Sequence, residues 1–303
     1  MLTKTTYIKS AIIQVEGSML IDTHTHTTYS DGLESAERLI SGAASQGIEV
    51  LSITDHDCIM AYPKATYIAG GFGIHMVPGV EISTKNENGC NCIHIVGLGI
   101  KTGKEVSSVL DRIVKARDDS EIGFLNNLND FLSKKYRGWI PTTGIKPSVF
   151  HNTRLNAISQ GIHISEKEMM DYILNEELWV PIDFELTVQD AIGLIKDWGG
   201  VPVLAHPFDF SNDVNKVLKS FIEAGGEAIE LCKYRYKVRS GILANVPAAE
   251  LMMKEREMNL WTIRQAQKYG LKLTMASDHH DENRIMGMCP EDYGIDVMWL
   301  FDL

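Results

Sequence analysis

Cysteine is scarce in this 303-residue chain: five residues, at positions 58, 90, 92, 232 and 289, an odd number without zinc-finger spacing. That excludes a disulfide-stapled scaffold and suits the reducing cytoplasm, which is the expected compartment. Long hydrophobic runs are missing too. No stretch approaches the roughly 18 uncharged apolar residues that a spanning helix needs. Ala11-Ile12-Ile13-Gln14-Val15, behind Lys4 and Lys9, is too short for a signal-peptide core, and no cleavage pattern follows it. Internal repeats and low-complexity tracts are absent. Positive charge is also in deficit: 29 Lys and Arg against 40 Asp and Glu leave a net charge of −11. A protein that coats long nucleic acid through a basic surface is thereby excluded, and no membrane partner is expected. A small phosphorylated substrate stays compatible, because a few metal ions reverse the sign of one cleft.

What is present is an alternation of short apolar runs and amphipathic stretches, which reads as β then α. Candidate strands are 19–21, 50–53, 75–80, 92–96, 201–205, 228–231 and 271–276; candidate helices include 34–46, 188–198, 214–224 and 248–269. Such alternation predicts an α/β fold with a largely parallel sheet. Residues 104–186 break the rhythm. They read as helices (106–135 and 166–175) joined by a loop holding Pro141 and Pro147, a helical insertion between two halves, 19–103 and 187–303, of one barrel or sheet. Residues 1–18 read as an N-terminal extension.

Histidine carries the chemical signal. His24-Thr25-His26 follows the first candidate strand and Asp55-His56-Asp57 the second. Glu81 ends the third, His94 lies in the fourth, His206 follows the fifth, and Asp278-His279-His280 follows the last. In a β/α barrel or open α/β sheet the strand ends converge on one face, where active sites form. In His-x-His, residues i and i+2 project to the same side, so both rings can reach one metal; Asp278-x-His280 repeats that spacing. Nitrogen and oxygen donors without thiolate suit Mn²⁺, Fe²⁺ or Zn²⁺. A carboxylate such as Glu81 has two oxygens with which to bridge neighbouring ions, and such ions hold a hydroxide and polarise a phosphoryl group.

The run Ile21-Asp22-Thr23-His24-Thr25-His26-Thr27-Thr28-Tyr29-Ser30-Asp31-Gly32 resembles the opening motif of PHP (polymerase and histidinol phosphatase) domains. Thr54-Asp55-His56-Asp57, Pro78-Gly79-Val80-Glu81-Ile82, His94-Ile95-Val96-Gly97, Ala205-His206-Pro207 and Ser277-Asp278-His279-His280 resemble its later motifs in order. The resemblance implies a distorted (β/α)₇ barrel that hydrolyses phosphate esters with two to three divalent ions, manganese first and zinc or iron next. Carried over by position, it gives His24, His26, Glu81 and Asp278 to one ion, Glu81, His94 and His206 to a second, and Asp31, His56 and His280 to a third. The attacking hydroxide is then held by Glu81, His206 and Asp278. Asp31 stands where many relatives have His, as in a Ser-Asp-Gly subgroup that includes 3′,5′-nucleoside bisphosphate phosphatases and cyclic phosphate dihydrolases. Where many of these have Arg-Pro-His, this chain reads Lys146-Pro147-Ser148-Val149-Phe150-His151-Asn152-Thr153-Arg154.

Other features read as structure. His75 and His163 are ordinary polar residues; His279, the x of Asp-x-His, points away; Asp55 and Asp57 cap a turn or orient His56. Cys90-Asn91-Cys92 is a turn and a strand residue, and Gly70-Gly71-Phe72-Gly73 a loop. Met252, Met253, Met258, Leu251 and Trp261 read as core. Arg154, Lys233, Arg235, Lys237, Arg239 and Arg284 are expected near the cleft, mostly as solvated surface, with Arg154, Lys233 and Arg235 the candidates for holding phosphate. The function expected is hydrolysis of a small phosphorylated molecule. The alternatives are a 5′-3′ oligoribonuclease-type exonuclease, C–N bond hydrolysis, and a non-catalytic metal-binding module; all nine expected ligand positions carrying competent side chains opposes the last.

Overall fold

The computed structural model describes residues 18–146, 148–209 and 213–303, so the expected N-terminal extension lies outside it except for Ser18. The chain forms a mixed α/β fold. Three short parallel strands, β1 (Leu20–Asp22), β2 (Ile48–Leu51) and β3 (His75–Met76), make one sheet. A second sheet runs β4 (Gly79–Ser83), β5 (His94–Leu98), β6 (Val201–Leu204), β7 (Ala228–Cys232) and β8 (Lys272–Ala276) in order. The expected third strand is thus two, β3 and β4, parted at Val77-Pro78 and belonging to different sheets. Individual hydrogen bonds cross between the sheets. Thr23 N donates to Met275 O at 3.0 Å beside β1 and β8, and Asp57 N to Glu81 O at 2.9 Å beside β2 and β4.

The sheet is not parallel throughout. β5 runs antiparallel to both β4 and β6, with Ser83 opposite His94 and Leu98 opposite Val201. The physical cause is the ten-residue connection 84–93, which contains no helix; a connection without a crossover helix returns the chain antiparallel. The reversal leaves the site intact. His94 opens a reversed strand instead of ending a forward one, and so reaches the same sheet end as Ser83.

Helices pack on the sheets by the expected faces. α1 (Ala36–Ser45) is capped by Ser35 and buries Ala36, Leu39, Ile40 and Ala43, the i, i+3, i+4, i+7 stripe of an amphipathic helix. α2 (Lys64–Gly71) occupies part of the segment read as a loop, its two glycines ending it. The insertion holds α3 (Lys104–Lys135), α4 (Val149–Ser159) and α5 (Glu166–Ile173), of which α4 covers a stretch read as loop. After it come α6 (Val188–Asp197), α7 (Val214–Glu223) and α8 (Leu251–Tyr269). On α8 the buried stripe is Glu255, Met258, Asn259, Thr262, Ile263 and Ala266. Met252 and Met253, in the first turn of α8, are exposed, against the expectation that they are core. Among the described residues no helix is long and apolar enough to cross a membrane.

The insertion has a core of its own, built from Phe124, Leu125, Leu128, Leu132, Trp139, Val149 and Met169 among others, apart from the clusters around the sheets. Leu128 is fully buried there. Leu128→Ala is expected to lower the unfolding free energy by about 2–5 kcal/mol, the usual cost of emptying a packed leucine site, measured by urea denaturation.

Candidate metal centre

Six of the eight strands deliver polar side chains to one point. His24 and His26 leave β1, His56 follows β2, Glu81 lies on β4, His94 opens β5, His206 follows β6 and Asp278 with His280 follows β8. Glu81 is the hub. Its Oε1 lies 2.7 Å from His94 Nδ1 and 2.9 Å from His206 Nε2. Its Oε2 lies 3.1–3.2 Å from His24 Nε2, His26 Nε2 and His56 Nδ1, yet makes no hydrogen bond and is shut off from solvent. Asp278 Oδ1 lies 3.2 Å from His26 Nε2 and 3.6 Å from His24 Nε2. At the rim, Asp31 Oδ2 lies 3.3 Å from His280 Nε2 and 3.9 Å from His56 Nε2, while Asp31 Oδ1 is 3.5 Å from His26 Nδ1. Gly32 is required in that loop: a Cβ there would lie 2.4 Å from the His26 carbonyl oxygen.

The nine residues expected to act together are therefore brought together. Four groups have ligand atoms all within 4.8 Å of one another: His26, Asp31, His56 and His280; His24, His26 and Glu81; His24, His206 and Asp278; His56, Glu81 and His94. The donor set fits divalent cations. His24 Nε2 and His26 Nε2 are 3.0 Å apart and both face the unpaired Glu81 Oε2. One proton shared between two rings leaves that oxygen unsatisfied, whereas a cation answers both nitrogens and the oxygen.

Electrostatics agree with that fit. Burial opposes ionisation of Glu81, but the fields of His56, His24 and His94 hold it well below the usual carboxylate range. Asp278 is lowered against its own burial by Lys237 first and His26 next. Burial also opposes charge on His26 and His94, yet Asp278 and Glu81 raise the first to about 9 and Glu81 raises the second to about 10. His56 is pushed down to about 3 by burial, which outweighs Glu81. The site is anionic at its hub and surrounded by imidazoles with competing demands for a proton.

Supporting groups surround the ligands, and Glu230 and Arg117 among them were not singled out in the sequence. Glu230, fully buried on β7, accepts from His24 Nδ1 at 3.1 Å and from His206 N at 2.7 Å. A carboxylate behind a ring nitrogen fixes the tautomer and turns the other lone pair forward; a lone acid inside the run Ala228–Cys232 is the signal that marks it. Lys237, expected as surface, is buried and holds Asp209 and Asp278, and Arg284 Nη1 reaches Asp278 Oδ2 at 2.8 Å. Arg117 of α3 bonds Asp57 and donates to Ser83 O at 2.6 Å, tying the insertion to the motif that carries His56. Asp55 accepts from Thr27 N and Ser30 Oγ at 2.7 Å and so holds the loop after His26, where capping of its own turn or orienting of His56 was expected. His279 turns away to Glu34, 2.9 Å from its Nε2.

The three candidates for holding phosphate are otherwise engaged. Lys233 Nζ donates to the carbonyls of Ile285 and Met286 at 2.8 and 3.0 Å, Arg235 pairs with Glu255 at 2.5 Å, and Arg154 pairs with Glu166 at 3.0 Å inside the insertion. The basic side chains bonded to the cluster are Lys237 and Arg284 instead.

Strand ends that gather imidazole and carboxylate in this way define a class of α/β proteins built to hold divalent ions. Comparison with known proteins narrows the class. The model of the PHP domain matches residues 22–180, and the chain belongs to that family. It is 25% identical over 281 residues to phosphoribosyl 1,2-cyclic phosphate 1,2-diphosphodiesterase of Eggerthella lenta, covering 86% of this chain and 94% of that one. It is 28% identical to the 5′-3′ exoribonuclease Rnm of Salmonella typhimurium (74% of this chain, 78% of the relative). With 3′,5′-nucleoside bisphosphate phosphatase of Chromobacterium violaceum it shares 27% identity (70% and 76%). Among solved structures, an amidohydrolase from Chromobacterium violaceum with bound sulfate has the same fold, with TM-score 0.62 at 23% identity over 88% of this chain and 90% of that one.

Because both Glu81 oxygens face histidines, Glu81→Ala is expected to remove more than one ion per chain. Elemental analysis of the purified protein measures this; an unchanged count with retained activity refutes the bridging role.

Proposed function

We propose that the chain hydrolyses phosphoester bonds of small phosphorylated molecules, with 3′,5′-nucleoside bisphosphates and cyclic phosphate diesters as the substrate class. The observation that carries this reading is the unpaired, buried Glu81 Oε2 facing three imidazoles inside a nine-residue ligand set. Relatives named for cyclic phosphate and bisphosphate chemistry along most of the chain support it.

The residues fit two to three divalent ions, manganese first and zinc or iron next, arranged as a trinuclear centre. His24, His26, Glu81 and Asp278 would hold one, Glu81, His94 and His206 a second, and Asp31, His56 and His280 a third. When bound, the ions supply activation of the attacking water and neutralisation of charge on phosphorus oxygens. In the hydrolysis, the water oxygen bonds to phosphorus, the bond to the leaving alkoxide breaks, and that alkoxide takes up a proton. Glu81, His206 and Asp278 border the point of attack. Glu230 behind His24 and Asp209 behind His206 hold those rings with their forward nitrogens toward the cluster. Arg284, a fifth exposed on Asp278, stands as a guanidinium beside an incoming phosphate.

The two sheets read as one distorted (β/α)₇ barrel, with 19–103 and 187–303 as its halves. The bonds from Thr23 to Met275 and from Asp57 to Glu81 support closure. The insertion, 104–186, forms the wall facing the leaving group, a placement supported by Arg117 reaching Asp57. A net charge of −11 disfavours a long polyanion.

Exoribonuclease relatives favour a second reading, stepwise RNA cleavage. The decisive measurement compares kcat/KM for a nucleoside 3′,5′-bisphosphate, a five-membered cyclic phosphate and a short single-stranded RNA. One of the first two is expected to be preferred; preference for the RNA establishes the exonuclease reading. Asp31, half exposed at the rim, contributes a hard oxygen to the most labile ion site. Asp31→Asn is expected to lower turnover and make activity depend on added Mn²⁺; unchanged activity in chelator-treated buffer refutes a working third site.

A further inference from the structure

Lys237 is a buried charge that the proposed chemistry leaves unused. It stands on the short helical segment Tyr234–Ser240 after β7, with its side chain 6% exposed. Its ammonium donates to Asp209 Oδ2 at 2.6 Å and also to Asp278 Oδ2. Asp278 then presents its other oxygen, Oδ1, to His26 and His24. Asp209 Oδ2 lies 3.0 Å from His206 Nδ1, and the far nitrogen of that ring faces Glu81 Oε1 at 2.9 Å. One ammonium thus touches, directly or through a single carboxylate, two of the three residues in the group His24, His206 and Asp278.

Backbone geometry gives a second, independent observation. His206 and Asp278 both have positive φ, 24° and 54°, which side chains other than glycine's seldom tolerate. Such conformations persist where the surroundings over-determine them. A side chain leaving such a backbone is aimed by whatever grips its far end, and here Lys237 joins the two grips.

We propose that Lys237 is a positioning residue that locks Asp278 and His206, which would serve the two ions sharing Glu81, and so sets the affinity of that pair of sites separately from the third. The inference rests on the metal-binding reading above. An ammonium repels a nearby cation, but this one is shared by two carboxylates, and the trio carries net negative charge. Without it, Asp209 loses its counter-charge and Asp278 keeps only Arg284 on Oδ2, so both carboxylates are freer to rotate. Asp278 Oδ1 then loses its aim, and His206 loses the acceptor behind it.

The test loads wild type, Lys237→Gln, Lys237→Arg, Asp209→Asn and the Lys237→Gln/Asp209→Asn double variant with Mn²⁺. Each is dialysed against graded chelator, ions per chain are counted by elemental analysis, and Tm is recorded on the same samples. Lys237→Gln is expected to release the two ions that share Glu81 at about tenfold lower chelator than wild type, the scale of losing a partner behind a ligand, and Asp209→Asn only the one that His206 serves. The double variant should lose no more than the worse single, and Lys237→Arg should recover part of the retention. A wild-type release curve for Lys237→Gln overturns the proposal, as does loss of every ion together with a collapsed Tm, which marks a merely structural role. Should Lys237→Gln not fold, Asp209→Asn decides alone: release of one ion supports the proposal and a wild-type curve overturns it. A wild-type protein that retains no ion removes the metal reading, and this inference with it, before any variant is compared.

Discussion

Burying a carboxylate costs several kcal/mol unless opposite charge surrounds it, and Glu81 is buried completely on β4, the first strand of the larger sheet. The surrounding fold answers that cost. β1, β2, β5 and β6 each bring an imidazole to within 3.2 Å of one of its two oxygens. Those rings in turn need partners behind them, which are Glu230 for His24 and Asp209 for His206. The acids behind the rings need cations: Lys237 serves Asp209 and Asp278 together. The polar interior is thus a nested series of partners, carboxylate, imidazole, carboxylate and ammonium from the hub outward. Removing one member exposes the next to an unpaired charge.

That nesting explains which parts of the site are legible in the sequence. The ligands stand out because His24-Thr25-His26, Asp55-His56-Asp57 and Asp278-His279-His280 interrupt or terminate apolar runs, and polar residues there demand a chemical reason. Glu230 is harder to read: it is a single acid within a strand, and only its approach to His24 gives it meaning. Lys237 and Arg284 resemble any surface cation in sequence. Their approach to Asp278 follows from where the segments after β7 and β8 turn, which composition does not encode. The same holds for the proposed phosphate contacts, since Lys233 sits one residue beyond β7 yet its ammonium is spent on two backbone carbonyls.

For the fold, periodicity locates α1, α6, α7 and α8 to within a few residues, because each buries a stripe against a sheet. Strand direction is a different matter. The residues of β5 carry the same alternation whichever way the strand runs, and the reversal comes from the connection, not the strand. α4 escapes detection because Leu155 and Ile158 lie exposed on it, so no clean apolar stripe marks it.

The insertion's separate core and its Arg117 foothold divide the molecule into parts that tolerate change differently. None of the residues packed around Leu128 belongs to the histidine cluster, and Arg117 on α3 is the side chain that reaches from the insertion to Asp57 and Ser83. The architecture joins two independently packed parts, a ligand cluster built on strand ends and a helical appendage with a core of its own, through few polar contacts such as that of Arg117 with Asp57.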